Sequence, residues 1–192
     1  QKQYDAALRM IESAEKKANE SLGNNHPAVA SCIFNHGRVF QNMGNPVKGI
    51  EYYRKAKMVW EGMPLATSYP EYTSCLLNLA NLYSEQGYLE DAEPLYLNVK
   101  SIRQVSPGKN HPGYTRVLAS LGNLYVDMAR FEEAEALVQE VKSIQIASFG
   151  SKSREYANAL NNQGHLYYET GQYFNAETCL LEAKDIYGEI LG

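Results

Sequence analysis

The sequence predicts an all-α fold, a superhelical solenoid of about nine helices, and three observations carry that expectation. One pattern of residues recurs about four and a half times at a period of 42 residues. Within each copy, apolar residues return at spacings of three and four, the mark of one buried helix face. Glycine and proline clusters separate the copies, and no segment reads as a strand. Self-similarity at such a period belongs to stacked repeats, in which each unit touches only its neighbours along a continuous buried seam.

In chain order, residues 1–25 read as the second helix of a partial repeat, with Tyr4, Ala7, Ile11 and Ala14 on its inner face. Residues 26–67 form the first complete repeat. Its copy of the pattern is worn: His36-Gly37-Arg38-Val39-Phe40, then Gly44, Pro46, Gly49, Tyr53 and Ala56, with His36 in a core Leu slot. Residues 68–110 carry Leu79-Ala80-Asn81-Leu82-Tyr83, then Gly87, Leu89, Ala92, Tyr96 and Val99. Residues 111–152 carry the clearest copy, Leu121-Gly122-Asn123-Leu124-Tyr125, then Ala129, Phe131, Ala134, Val138 and Val141. Residues 153–192 close the array with Gln163-Gly164-His165-Leu166-Tyr167, then Gly171, Tyr173, Ala176, Leu180 and Ala183.

Each complete repeat divides into two helices. Gly44, Gly87 and Gly171 mark the break, as a left-handed residue ending a helix would, and Ala129 holds the same slot. Small residues at Gly37, Ala80, Gly122 and Gly164, and again at Gly49, Ala92, Ala134 and Ala176, let paired helices approach closely. Tyr83, Tyr125 and Tyr167 fill the space beside them and account for much of a high tyrosine count of 15. Pro27, Pro46, Pro70 and Pro112 stand where a proline begins a helix. Pro94 falls one or two turns inside a second helix, where it removes a hydrogen bond. One extra residue in the loop Gly62–Pro70 stretches its repeat to 43.

Composition narrows the function classes. A net charge of −4 lacks the basic stripe that nucleic-acid binding requires, so no nucleic-acid partner is expected. No run approaches the 18 or so apolar residues of a membrane span, and no signal-peptide pattern opens the chain. Three cysteines, an odd count without secretory features, fit a reducing, cytoplasmic setting and packing roles. His26 and His111 precede prolines in inter-repeat loops, where side-chain capping is the expected role. Glu132-Glu133 and Glu90-Asp91 open second helices and complement the helix dipole. No zinc-protease, paired-cysteine or phosphate-loop motif occurs, so no catalytic site, cofactor or metal is expected.

The L-G-x-x-Y core followed by A-x-x-x-Y resembles the tetratricopeptide repeat (TPR), rather than HEAT or armadillo repeats of period 40–47. Both helices run about a turn longer than the usual 34-residue form. With loops such as Leu22-Gly23-Asn24-Asn25-His26-Pro27, the chain resembles the kinesin light chain type. Ala92-Glu93-Pro94-Leu95-Tyr96 and Leu160-Asn161-Asn162 are similar to bacterial arrays found beside NTPase or caspase-like CHAT protease domains. The resemblance covers all 192 residues as one array. It implies a scaffold or interaction module that binds a peptide or partner protein in a concave groove lined by first helices. The alternative it implies is a regulatory arm of a larger enzyme, such as a CHAT protease or NTPase.

Subtracting the packing positions leaves the residues that such a groove would present. They are Ser31, Phe34, Arg38, Gln41 and Asn42; Ser74, Leu77, Asn81, Ser84 and Glu85; Arg116, Ala119, Asn123, Val126 and Asp127; and Asn158, Asn161, His165, Tyr168 and Glu169. Asn81, Asn123 and His165 stand at equivalent places, and a row of carboxamides can pair with the backbone of an extended peptide. Phe34 and Tyr168 are the candidate hydrophobic anchors. The basic clamp with which some TPR domains grip the carboxyl terminus of heat-shock chaperones is absent. Its lysine slots hold Phe34, Leu77, Ala119 and Asn161, leaving only Asn78 and Arg116. The repeat opens and stops mid-array at Gln1 and Leu191-Gly192, which predicts further helical repeats on both sides. The expectation for the piece itself is a frayed first helix or end-to-end self-association, because Leu180, Ala183, Ile186 and Leu191 lack a covering helix.

Overall fold

A computed structural model describes the backbone of residues 2–191 and the side chains of residues 3–190. Among these residues the chain forms nine α-helices and no strand. They are α1 (Lys2–Leu22), α2 (Pro27–Asn42), α3 (Pro46–Glu61), α4 (Pro70–Glu85), α5 (Leu89–Arg103), α6 (Pro112–Asp127), α7 (Phe131–Phe149), α8 (Arg154–Glu169) and α9 (Tyr173–Leu191). A short 3-10 turn at Ala66–Ser68 sits before α4, and a wide turn at Gln104–Gly108 with a cis Ser106–Pro107 bond precedes α6. The chain divides into two compact units, Gln1–Leu95 and Tyr96–Gly192, and the division falls inside α5.

Local chemistry sets the helix limits. Proline opens α2, α3, α4 and α6, where its missing N–H costs nothing. The histidines before two of them cap as expected. His26 Nδ1 accepts from the Ala28 N–H at 3.2 Å, and His111 Nδ1 from the Gly113 N–H at 2.9 Å. Asn45 and Ser153 do the same for α3 and α8, accepting from the N–H groups of Lys48 and Tyr156. Gly44, Gly87 and Gly171 take φ of 71°, 79° and 75° just past α2, α4 and α8. After α6 this left-handed position is held by Ala129 at φ 56°, a conformation that a Cβ makes unfavourable. Pro94 lies inside α5 on its exposed side.

In the first unit α3 lies close against α2 because Gly37 has no side chain. A Cβ there would fall 2.5 Å from Tyr53 Cδ1, and the Tyr53 ring is fully buried. Phe34 packs on Tyr53 and on the edge of Trp60, with centroids 5.5 and 6.0 Å apart, and Tyr72 of α4 continues the aromatic core beside Trp60. Gly49 of α3 makes room for Leu82 of α4. Helix α1 contacts α2, and its Ala7, Leu8, Ile11, Glu15, Ala18 and Asn19 are half-buried. Tyr4 and Ala14, expected on that inner face, are exposed. Glu15 reaches 3.3 Å from Nε2 of His36, which is 3% exposed in its Leu slot and stacks on Tyr52.

In the second unit α6 and α7 enclose Leu118, Leu121, Val138 and Val141, and α8 and α9 enclose Tyr156, Ala157, Leu160, Ala183 and Ile186. Ala183 and Ile186, expected to lie uncovered, are therefore core residues; Leu180 does remain 45% exposed. The Leu191 side chain and Gly192 lie outside the described residues. All three cysteines are free thiols. Burial pushes the thiols of Cys32 and Cys179 up, and that of Cys75 to about 12, where reactive thiolate is scarce. No helix among the described residues is long and apolar enough to cross a membrane.

The small-residue slots differ in room, and two substitutions separate them. Gly37→Ala drives a methyl into the Tyr53 ring and should destabilise by about 1–3 kcal/mol. Gly122→Ala meets nothing nearer than Leu137 Cβ at 3.9 Å, so the helix-propensity gain of roughly 0.5–1 kcal/mol should appear in full. Ala129→Gly should stabilise by about 1 kcal/mol through relief of the left-handed alanine. Urea midpoints of the three variants, compared with the parent chain at equal slope, check all three signs.

Candidate functional site

The groove residues expected from the sequence fall into three groups by exposure. In the first unit Arg38, Asn42 and Glu85 are exposed, whereas Ser31, Gln41, Ser74, Asn81 and Ser84 are half-buried. Phe34 and Leu77 are core residues, 6% and 8% exposed, so Phe34 is not available as a surface anchor. Its ring instead lies under the Arg38 guanidinium, 5.9 Å from the centroid, and Arg38 also donates to Asn35 Oδ1 at 3.4 Å. In the second unit Arg116, Asn123 and Asp127 of α6 are exposed, with Ala119 and Val126 half-buried. On α8, Asn158, His165, Tyr168 and Glu169 are exposed and Asn161 is half-buried.

These positions share a face because they lie three, four or seven residues apart on each first helix. Within the second unit α6 and α8 are in contact, so Asn123 and His165, one repeat apart, occupy equivalent places on neighbouring helices. His165 Nε2 lies 3.7 Å from Glu169 Oε1 on the same helix. Tyr168 is 60% exposed and meets the ring of Tyr173 edge-on at 5.6 Å, which leaves two aromatic faces in solvent. Arg116 adds its charge beside Arg103, whose Nη1 donates to the Gly113 carbonyl at 2.7 Å; burial, then Arg116, lowers the Arg103 pKa.

Several amides of this face are held by tyrosine hydroxyls from the second helices. The Tyr187 hydroxyl donates to Asn158 Oδ1 at 2.5 Å and accepts from Asn161 Nδ2 at 3.4 Å. In the first unit the Tyr53 hydroxyl donates to Gln41 Oε1 at 2.7 Å and accepts from Asn78 Nδ2 at 3.4 Å. A second tyrosine series, Tyr72, Tyr114 and Tyr156, donates to carboxylates of Glu61, Glu140 and Glu182 at 3.1, 2.9 and 3.4 Å. The sequence reading missed both sets, although the 42-residue spacing of the second series was visible. No three His, Cys, Asp or Glu side chains cluster as metal ligands among the described residues.

Burial raises the Tyr53 hydroxyl to about 12, with its hydrogen bond from Asn78 acting in the opposite direction. The neutral form is the one favoured in the fold. The stability it contributes is whole below pH 10, the usual tyrosine value, and is lost as pH rises through about 12. Alkaline unfolding followed by circular dichroism should therefore begin above pH 10. Tyr53→Phe should remove part of that dependence and cost about 0.5–1.5 kcal/mol at neutral pH by stranding Gln41 and Asn78.

The arrangement matches known repeat proteins at two levels. Tetratricopeptide repeat family models match residues 72–147 and 157–192, together more than half of the chain. Among solved structures, the nearly identical TPR-like repeats of a candidate kinesin light chain from Podosopora anserina superpose with a TM-score of 0.87 at 19% identity. That match covers 98% of this chain and 89% of that one. BtubC (BKLC) from P. vanneervenii gives a TM-score of 0.68 at 19% identity, over 100% and 92% of the two chains. The Rap conjugation gene regulator of the plasmid pLS20, in complex with the Phr* peptide, gives 0.62 at 15% identity, over 98% of this chain and 50% of that one. No curated protein sequence matches the chain. With long helix pairs, left-handed breaks and small-residue slots all in place, the chain belongs to the tetratricopeptide repeat family, in its long, kinesin-light-chain-like form.

Proposed function

We propose that the chain is a protein–protein interaction module that takes a peptide or partner segment on the exposed face of its first helices. The observation that carries this reading is the stripe Arg116, Asn123 and Asp127 on α6 beside Asn158, His165, Tyr168 and Glu169 on α8. Every one of these side chains is exposed, while residues on the other faces of the same helices, such as Leu118, Leu121, Leu160 and Leu166, are buried. Mixed charge, free carboxamide and aromatic side chains suit an extended segment better than a small apolar ligand. The Asn123 amide makes no hydrogen bond to the described residues, so its donor and acceptor are available to a peptide backbone. Within the first unit, taken by itself, the equivalent first-helix positions are Arg38, Asn42, Asn81 and Glu85.

Asn158 and Asn161 enter this reading as positioned rather than free groups, because Tyr187 holds them. Of the two anchors expected from the sequence, Tyr168, with Tyr173 against its edge, keeps that role and buried Phe34 does not. A fold neighbour in complex with the Phr* peptide supports peptide recognition, and an interaction role is the common one for this family. The protein acts on this reading as a binder with no chemistry of its own, with no nucleic-acid or membrane partner. The regulatory-arm alternative places the same face at the service of a catalytic domain such as a CHAT protease or NTPase.

The test is affinity purification with the 192-residue chain as bait, in three forms. An Asn123→Ala/His165→Ala variant should lose captured proteins that the parent retains. A Gln139→Ala control, on an exposed part of α7, should retain them. A tenfold loss of affinity for a captured segment, about 1.4 kcal/mol, is the expected scale for the double substitution. Equal capture by all three forms removes the first-helix face as the binding surface.

A further inference from the structure

Helix α9 presents three faces. Ala176, Cys179, Ala183 and Ile186 are buried, and Asn175, Thr178, Glu182, Asp185 and Glu189 form an exposed polar stripe. The third face carries Tyr173, Phe174, Leu180 and Leu181, which are 66%, 80%, 45% and 51% exposed, together with half-buried Tyr187. On α7 the equivalents of Leu180 and Lys184 are covered, whereas those of Phe174 and Leu181 are the exposed polar residues Glu132 and Gln139. Val138 is 7% exposed, and Lys142 beside it donates to Gln163 of α8 at 3.0 Å. On α9 Leu180 rests partly against Gly164 of α8 and the Tyr187 hydroxyl bonds Asn158 and Asn161, while Phe174 and Leu181 stay open to solvent.

Charge placement on that face identifies an occupant. Glu177 and Lys184 are its charged residues, both are exposed, and neither has a partner among the described residues. They are seven residues apart, too far along one helix to pair with each other. The pairs Phe174 with Tyr187, Glu177 with Lys184, and Leu180 with Leu181 share one midpoint, between Leu180 and Leu181. A two-fold axis through that point sets a second α9 antiparallel to the first. It then places each Glu177 against Lys184 of the other copy, and each leucine against a leucine. Gly188 lies on the same face with open space above it, which admits the ring of Tyr173 from the second copy.

We infer that the α9 face is a self-complementary docking surface for a second copy of this chain, forming an antiparallel two-fold dimer. The inference does not depend on peptide binding by the first helices. A single helix face is small for an interface, so the dimer is weak, with a dissociation constant on the order of tens of micromolar.

Sedimentation velocity of the 192-residue chain over a range of concentrations around that value is the test. The parent should show a concentration-dependent monomer–dimer equilibrium. Glu177→Lys alone and Lys184→Glu alone should each weaken it by about tenfold or more, because both symmetric contacts become like-charged. The double reversal should restore parental affinity, which a merely general effect of surface charge would not do. Leu181→Asp should leave only monomer, with unchanged helical content. A chain that stays monomeric throughout overturns the inference and leaves the face to a different occupant, such as a further helix of a longer array. A dimer indifferent to the single reversals, or not rescued by the double one, overturns it equally.

Discussion

Close approach between paired helices is the constraint on which the remaining packing rests. A Cβ at Gly37, Gly49 or Gly164 would lie 2.5–2.9 Å from Tyr53, Leu82 or Leu180, so these side chains rest directly on helix backbone. Burial of large groups follows from that contact. Tyr53 and Leu82, so seated, are at or below 2% exposure, while Leu180 keeps 45%, and much of the first unit's apolar stabilisation resides in such buried residues. The small slots thus act as seats for bulky neighbours, and the larger residue changes from repeat to repeat while the seat persists.

The same closeness brings polar atoms of the second helices within reach of the first. Tyr53 and Tyr187 each extend a buried or half-buried ring to a hydroxyl that binds two amides of a first helix or its neighbour. Gln145, at the position equivalent to Tyr187, donates to Thr115 at 3.1 Å, and Arg103 to the Gly113 carbonyl. Each connection satisfies polar groups that would otherwise be costly to bury. Each also orients the first helix, so the exposed face is fixed from behind by the second helices.

Relatives of this architecture share as little as 15% of their residues, yet the fold persists over nearly the whole chain. That tolerance is expected where stability depends on spacing, small seats and caps rather than on particular large side chains. Exposed positions carry no such restriction. Arg116, Asn123 and His165 can therefore differ from any neighbour of known structure without altering the fold, and specificity has to be argued from these residues themselves.

Most of the fold was legible in the sequence. Periodicity located the helix pairs, prolines and histidines marked their starts, and glycines marked their breaks, because these are local effects of backbone chemistry. The candidate site was legible only as a set of positions. Helical spacing could place Phe34 on the first-helix face, but its burial against Tyr53 and Trp60 came from aromatic residues on a different helix. Likewise Asn158 and Asn161 are bound by Tyr187, nearly thirty residues downstream, and Ala14 is exposed where the pattern called for an inner face. The sequence by itself determined the repeat, the helices and their caps, since each depends on neighbours a few residues away. Only the tertiary structure decided which polar groups are occupied and which apolar ones are open, since both depend on what another helix brings within about 4 Å.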